Sequence, residues 1–269
     1  MHKTSRETAC ELYTKEYFLS QNCDGYEDFI KDKGLSYIKR KQVSMLEVKP
    51  GNIVLDVGCG RGELLYNCLS KGAVAIGIDY SSSSVEISQE TLKGEGRSIV
   101  LRASADSLPF AGNSIDRIIM GDVLEHISPE EARRFISETS RVLKEGGIVL
   151  IHTSPNIYFM KFAFPLIKFF FRVTGKTEMI KSFLKHVTKD NYIYHMKEYN
   201  LFSLKKLVAG STLNFKVWLD RDLMRGGESR FTSNLADSKF FRFIEKILSM
   251  YPFVLFFSND LWAKGIKRS

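Results

Sequence analysis

The run Ile53-Val54-Leu55-Asp56-Val57 leads directly into Gly58-Cys59-Gly60-Arg61-Gly62. A short, β-branched and almost wholly apolar stretch suits a strand covered on both faces, the usual condition of a parallel sheet. Glycines at its exit allow positive φ and a close backbone approach to a ligand. In open parallel sheets ligands gather at the carboxyl ends of the strands, near the point where strand order reverses. The strand and its turn therefore set both the fold class and the place to look for a site.

The segments that follow keep this rhythm. A helix is expected from Gly62 to Ser70, a strand over Val74–Asp79, and a helix to Leu92 with N-cap candidates at Ser81–Ser84. Strands follow at Ser98–Ala103 and Ile115–Gly121. Ser128-Pro129-Glu130-Glu131 opens a helix to Leu143, Gly146-Gly147 closes it, and Ile148–Thr153 is a fifth strand. Upstream, residues 26–46 read as one helix. Downstream, a helix at Leu201–Ala209, a strand at Phe215–Asp220, a helix around Phe240–Met250 and a strand at Leu261–Lys267 are expected. Strands alternating with helices mean a doubly wound, mostly parallel sheet.

The chain divides into an N-terminal arm and helix (1–50), a core (51–155), an aromatic and basic insertion (156–200), and a C-terminal part (201–269). This last part returns to the sheet and carries a second insertion at about 221–258. Charge follows the same division. Residues 1–154 hold 19 Lys/Arg and 22 Asp/Glu, whereas residues 155–269 hold 20 and 9, together with 16 of the 20 Phe. Such asymmetry suggests different partners for the two parts. The stretch 157–171 (IYFMKFAFPLIKFFF) is too short and too interrupted for a membrane span. It reads either as a helical lid over the site or, with 250–257, as a peripheral lipid contact. The four cysteines lack disulfide or zinc spacing and no apolar leader is evident, so a reduced, cytoplasmic protein without a metal is expected.

Glu63 stands where a dinucleotide-binding turn would carry its third glycine. Asp56 would repel a pyrophosphate and suits a ligand with positive charge. Asp79, 23 residues on at a strand end, is placed to accept hydrogen bonds from a ribose diol. Then come Ala105-Asp106-Ser107-Leu108-Pro109-Phe110, Gly121-Asp122-Val123-Leu124-Glu125-His126 and Leu143-Lys144-Glu145-Gly146-Gly147. This series resembles the class I S-adenosylmethionine-dependent methyltransferases, most closely their type 11 group, over residues about 52–154. His195-Met196-Lys197-Glu198-Tyr199 and Leu261-Trp262-Ala263-Lys264-Gly265 resemble that group's later elements, whereas Asn214-Phe215 departs from its usual Gly-Phe.

The resemblance implies a Rossmann-like fold with a seven-stranded sheet, helical insertions forming a cap, and S-adenosyl-L-methionine as cofactor. Asp56 and the turn residues Gly58, Cys59, Gly60 and Gly62 fall to the cofactor, with Gly58 and Gly60 lining its methionine moiety. Asp79 is assigned to the ribose, Tyr80 and Ala105 to the flanks of the adenine, Asp106 to its amino group, and Gly121 to the cofactor's amino group. Simpler roles stand beside these: Asp79 as a helix cap, Asp106 as a turn cap.

For the acceptor, His126 and His195 are candidate general bases, each with a structural reading as alternative. Tyr17 and Tyr199 are candidates for the substrate mouth. No Asp/Asn-Pro-Pro-aromatic turn follows the fourth strand, so nucleic acid is not the expected partner. The expected reaction is O-methylation of a hydroxyl on a sugar, glycan or related small molecule. A natural-product or quinone-like lipid is the alternative, and a non-catalytic cofactor binder a more distant one.

Overall fold

The computed structural model describes residues 12–21, 23–175, 195–223 and 239–268. Seven strands form one sheet in the order β3-β2-β1-β4-β5-β7-β6. They are β1 (Ile53–Val57), β2 (Val74–Asp79), β3 (Ser98–Arg102), β4 (Ile115–Gly121), β5 (Leu143–Thr153), β6 (Asn214–Leu219) and β7 (Leu261–Ile266). β1 to β5 run parallel, and β7 is antiparallel to both its neighbours. Strand order reverses between β1 and β4, so their carboxyl ends frame the crevice where a ligand belongs.

Side-chain alternation divides the core. Leu55 and Val57, Ile118 and Met120, and Val149 and Ile151 fill one face of the sheet. Val54, Ile119 and Leu150 fill the other, beside Trp262. Successive residues of a strand point to opposite faces, which explains why the central strands are apolar throughout. The helix Pro129–Val142 starts with a capping box between Ser128 and Glu131 and buries Ala132, Phe135, Ile136, Thr139 and Val142 on one stripe. Burying a side chain such as Phe135 is worth roughly 1.5–3 kcal/mol.

Two expected elements differ. The helix expected over 26–46 is broken into Tyr26–Phe29 and Tyr37–Met45. Asp32 and Lys33 adopt φ values of 61° and 55°, which no helix can propagate. Gly146-Gly147 does not close a helix: the helix stops at Val142 and β5 begins at once. Leu143 pairs with Ile115, and pairing resumes where Ile148 meets Arg117, so the glycines lie in a bulge. Gly146 N–H donates to Lys267 O, and Lys267 N–H donates to Gly147 O, tying that bulge to the end of β7.

The 157–171 stretch forms a turn of π-helix, Phe159–Ala163, and then the helix Phe164–Val173. Phe159, Ala163 and Phe171 are buried, but Phe162, Leu166, Phe169 and Phe170 are exposed, Phe169 by 65%. One side of this segment is therefore packed and the other exposed. No described helix is long and apolar enough to cross a membrane.

Candidate active site

The glycine turn is built to carry backbone where side chains cannot go. Gly58, Gly60 and Gly62 have φ of 78°, 54° and 80°. A Cβ on Gly58 would lie 2.3 Å from Val123 Cγ2, so the β1 exit and the β4 exit touch there. Gly62 packs on Ser88, with a would-be Cβ 3.2 Å from Ser88 Cα. Its part is helix packing, whereas Gly60 faces open space, with only Phe18 Cε1 at 3.8 Å. The Cys59 side chain turns away from the crevice, buried beside Ser88 Oγ at 3.5 Å. Burial holds its thiol well above the usual range, so only its backbone is available to a ligand.

Serines fasten this turn. Ser84 and Ser88 hydroxyls both donate to Gly60 O at 2.8 Å. Gly60 N–H donates to Asp79 Oδ2 at 3.1 Å, and Ser81 N–H to Asp79 Oδ1 at 2.9 Å. Asp79 is thus set against the turn at the end of β2, each oxygen retaining acceptor capacity. Burial raises its carboxyl, opposed by those hydrogen bonds.

Asp56 is 5% exposed, and its carboxylate has no hydrogen-bond partner among the described residues. Burial lifts its pKa to about 7 against the pull of Lys39. A buried carboxylate without a donor is costly unless a cation reaches it. Gln42, 1% exposed, presents an unpartnered Nε2 just where a Cβ on Gly121 would sit, 2.4 Å away. Both features fit a cofactor with an ammonium group and polar edges.

Beside this pocket lies an ion cluster absent from the sequence expectations. Glu63, 1% exposed, accepts from Lys39 and from Arg61 Nη2, the latter at 2.7 Å. Burial alone would raise Glu63, and the two cations overcome it and hold the carboxyl below its usual range. Arg61 also donates to Phe18 O at 3.0 Å and Asp24 O at 2.5 Å. The N-terminal arm is thereby fixed over the glycine turn, and Ser81 Oγ donates to Tyr13 O at 2.7 Å on its far side.

The adenine-side residues fall at the same end of the sheet. Tyr80 follows Asp79 and lies under Arg102, 5.6 Å from ring centroid to guanidinium. Ala105 packs against the core, and Asp106 is engaged by Ser104 Oγ at 2.5 Å and Arg134 Nε at 3.0 Å. Arg134, on the Pro129–Val142 helix, carried no signal in the sequence.

The β4 exit continues through Asp122, at φ 54°, into the 3₁₀ turn Leu124–His126. His152 holds Asp122 from below, its Nδ1 2.9 Å from Asp122 Oδ1 and its Nε2 3.2 Å from Asp260 Oδ1. Burial would lower this imidazole, but the two carboxylates lift its pKa to about 10. His126 Nδ1 meets the Tyr13 hydroxyl at 2.7 Å. The His126 and His195 rings lie edge to face at 4.9 Å. Glu125, pushed to about 8 by burial and then by Asp122, accepts from Thr153 Oγ1 at 2.7 Å. Both candidate bases are therefore side by side.

The two tyrosines separate. Tyr17 stacks edgewise on Tyr13 at 5.2 Å within the arm. Tyr199 is 1% exposed, its hydroxyl unpartnered and its ring in the main core cluster. That places Tyr199 behind the site rather than at its mouth.

Residues 55–151 match the family model described as a methyltransferase domain. A ubiquinone biosynthesis O-methyltransferase of Brucella anthropi is 32% identical over 127 residues, 44% of this chain and 50% of its own length. A demethylmenaquinone methyltransferase of Symbiobacterium thermophilum is 28% identical over 193 residues, 64% of this chain and 75% of its own. The chain spans from about a third to about half the length of the curated relatives it matches at 30% identity or better. Among solved structures, phosphoethanolamine N-methyltransferase 2 of Haemonchus contortus with S-adenosyl-L-methionine has a TM-score of 0.62 at 17% identity. It covers 100% of this chain and 61% of its own, a likeness of fold.

Proposed function

We propose that the chain, whose residues 55–151 match a methyltransferase domain, is a class I S-adenosylmethionine-dependent methyltransferase of the type 11 group that methylates a hydroxyl on a small acceptor held at the β4 exit. The observation that carries this reading is the pairing of two environments at one switch point. A buried, unpartnered acid and glycine backbone lie at the β1 exit, and His126, His195 and Glu125 cluster at the β4 exit.

Asp79 would hold the ribose diol, Gly58 and Gly60 the methionine part, and Asp56 the ammonium, with Tyr80, Ala105 and Asp106 around the adenine and Gly121 offering backbone. S-Adenosylmethionine supplies a methyl group on a sulfonium, which an acceptor lone pair takes as the C–S electrons return to sulfur. The chain's contribution is to aim the acceptor oxygen and to see its proton away. Orientation carries much of such a rate. His126 and His195 are the catalytic candidates, because they and Glu125 cluster just past that exit. Tyr17 stays a candidate for the mouth of the acceptor site through its packing on Tyr13.

Of the acceptor classes expected from the sequence, a phenolic, quinone-like lipid is favoured over a sugar or glycan. Exposed Phe162, Leu166, Phe169 and Phe170 alternate with exposed Lys161, Lys168 and Arg172, a pattern suited to an anionic lipid surface. Two quinone methyltransferases among the relatives agree with this choice. Incubation with methyl-labelled cofactor, a phenolic lipid in vesicles and, separately, free sugars tests it by mass spectrometry. Labelled methyl ether on the lipid is the expected product. Label on the sugar alone overturns the acceptor class, and no turnover with either overturns O-methylation.

A further inference from the structure

We propose that Glu125, His126 and His195 bind a divalent transition-metal ion, which holds and acidifies the acceptor hydroxyl. This rests on the reading that the acceptor lies at the β4 exit. Each of the three residues offers one ligand atom, and the three atoms lie within 4.8 Å of one another. Glu125 Oε1 and His126 Nε2 are 3.9 Å apart. Around a tetrahedral ion with bonds near ~2.1 Å, ligand atoms sit roughly 3–3.5 Å apart. Small side-chain rotations close that difference.

The atoms not needed for coordination are already held. Tyr13 Oη occupies His126 Nδ1 at 2.7 Å, which turns Nε2 toward the cluster. Thr153 occupies Glu125 Oε2 at 2.7 Å, which leaves Oε1 facing His126. Such outer partners are what orient metal ligands. Met196 and Lys197 N–H both donate to Glu125 O, at 2.8 and 3.1 Å, which anchors His195 beside the 3₁₀ turn.

A second observation is independent of the clustering. The His195 side chain is 9% exposed, and its Nδ1 is buried without a hydrogen-bond partner. Glu198 Oε1 stands 3.8 Å from that nitrogen, beyond hydrogen-bond reach. With Nε2 coordinated, Glu198 supplies the outer carboxylate of a carboxylate–histidine–metal arrangement.

Two imidazoles and one carboxylate suit zinc or cobalt(II) better than magnesium or calcium, which prefer all-oxygen sites. Three protein ligands leave a position open, as catalytic sites do. An acceptor hydroxyl bound there loses its proton to water more readily, and its oxygen is fixed for attack.

The test uses the full chain without a histidine tag, stripped by chelator and dialysed against zinc, with cobalt(II) spectra in parallel. About one zinc per chain and tetrahedral cobalt bands are expected. Glu125→Gln and His195→Ala should each weaken zinc binding by at least roughly tenfold. S-Adenosylmethionine binding by calorimetry should stay unchanged in both, which shows that the variants fold. Absence of stoichiometric zinc, or binding unaffected by both substitutions, overturns the metal site. That outcome leaves methyl transfer standing and returns the proton to His126 itself. Failure of cofactor binding in the unaltered chain would instead overturn the methyltransferase reading.

Discussion

The two halves of this molecule handle apolar surface and charge in opposite ways. Up to Thr153, the large apolar side chains are mostly buried along the central strands, and a buried charge such as Glu63 is paired, here with Lys39 and Arg61. Beyond Pro155, Phe169 and Phe243 stand 65% and 61% exposed, among exposed Lys168, Arg172 and Arg242. A sheet buries what it needs to fold, whereas an exposed aromatic surface has to be explained by a partner. In the function proposed above, the first half carries the cofactor chemistry and the second supplies the surface that selects what is methylated. The division is not complete, because Asp260, just before β7, and Trp262 of β7 support His152 and, through it, Asp122 at the β4 exit.

The largest expected effect is in the first half. Arg61→Met removes a buried cation from Glu63 and the anchor of the arm, and should cost about 3–5 kcal/mol in urea unfolding. Limited proteolysis should then cut the arm; full stability with a protected arm would detach it from the glycine turn. Asp79→Ala should weaken cofactor binding by about 3 kcal/mol, more than a hundredfold, in calorimetry. Little change there would remove the ribose assignment.

His152→Gln tests the link between the halves and should cost about 1–3 kcal/mol at neutral pH. The native imidazole, at about 10, lies above its ordinary 6.5. Its contribution is therefore complete below about 6.5 and fades as pH rises through about 10. Melting curves of the two proteins should converge by then.

Asp56 gives a smaller, opposite pH signature. Its native value of about 7 lies above the unfolded one, so without ligand it subtracts stability as pH rises from about 4 to 7. Cofactor affinity should be level above pH 7 and fall by roughly tenfold per unit below it. Asp56→Asn should flatten that profile. The smallest effect on folding is expected in the second half. Phe169→Ser with Phe243→Ser should change stability by no more than about 0.5 kcal/mol. The pair should nonetheless abolish flotation with anionic vesicles at low salt, and unaltered flotation would remove the lipid surface.

The parallel strands and the crevice were legible in the sequence because each is a local pattern. An apolar β-branched run, a glycine exit and an acid at the next strand's end lie within 27 residues, from Ile53 to Asp79. Strand periodicity and turn chemistry act over such distances. The break at Asp32-Lys33 was not legible, since neither residue type forbids a helix. The pairing of Glu63 with Lys39 was hidden for another reason: ion pairs between elements have no spacing rule.

The sequence by itself determined the sheet, the switch point and the glycine turn at Asp56–Gly62, because backbone geometry at a strand exit depends on the residues that occupy it. Only the tertiary structure decided that Tyr199 lies in the core, that Cys59 turns inward, and that His195 stands beside His126 and Glu125. Those outcomes come from separate chain segments, 29 residues apart for Cys59 and Ser88 and about 70 for His126 and His195, meeting at the carboxyl ends of the central strands. No local preference encodes such a meeting; packing of the whole core does.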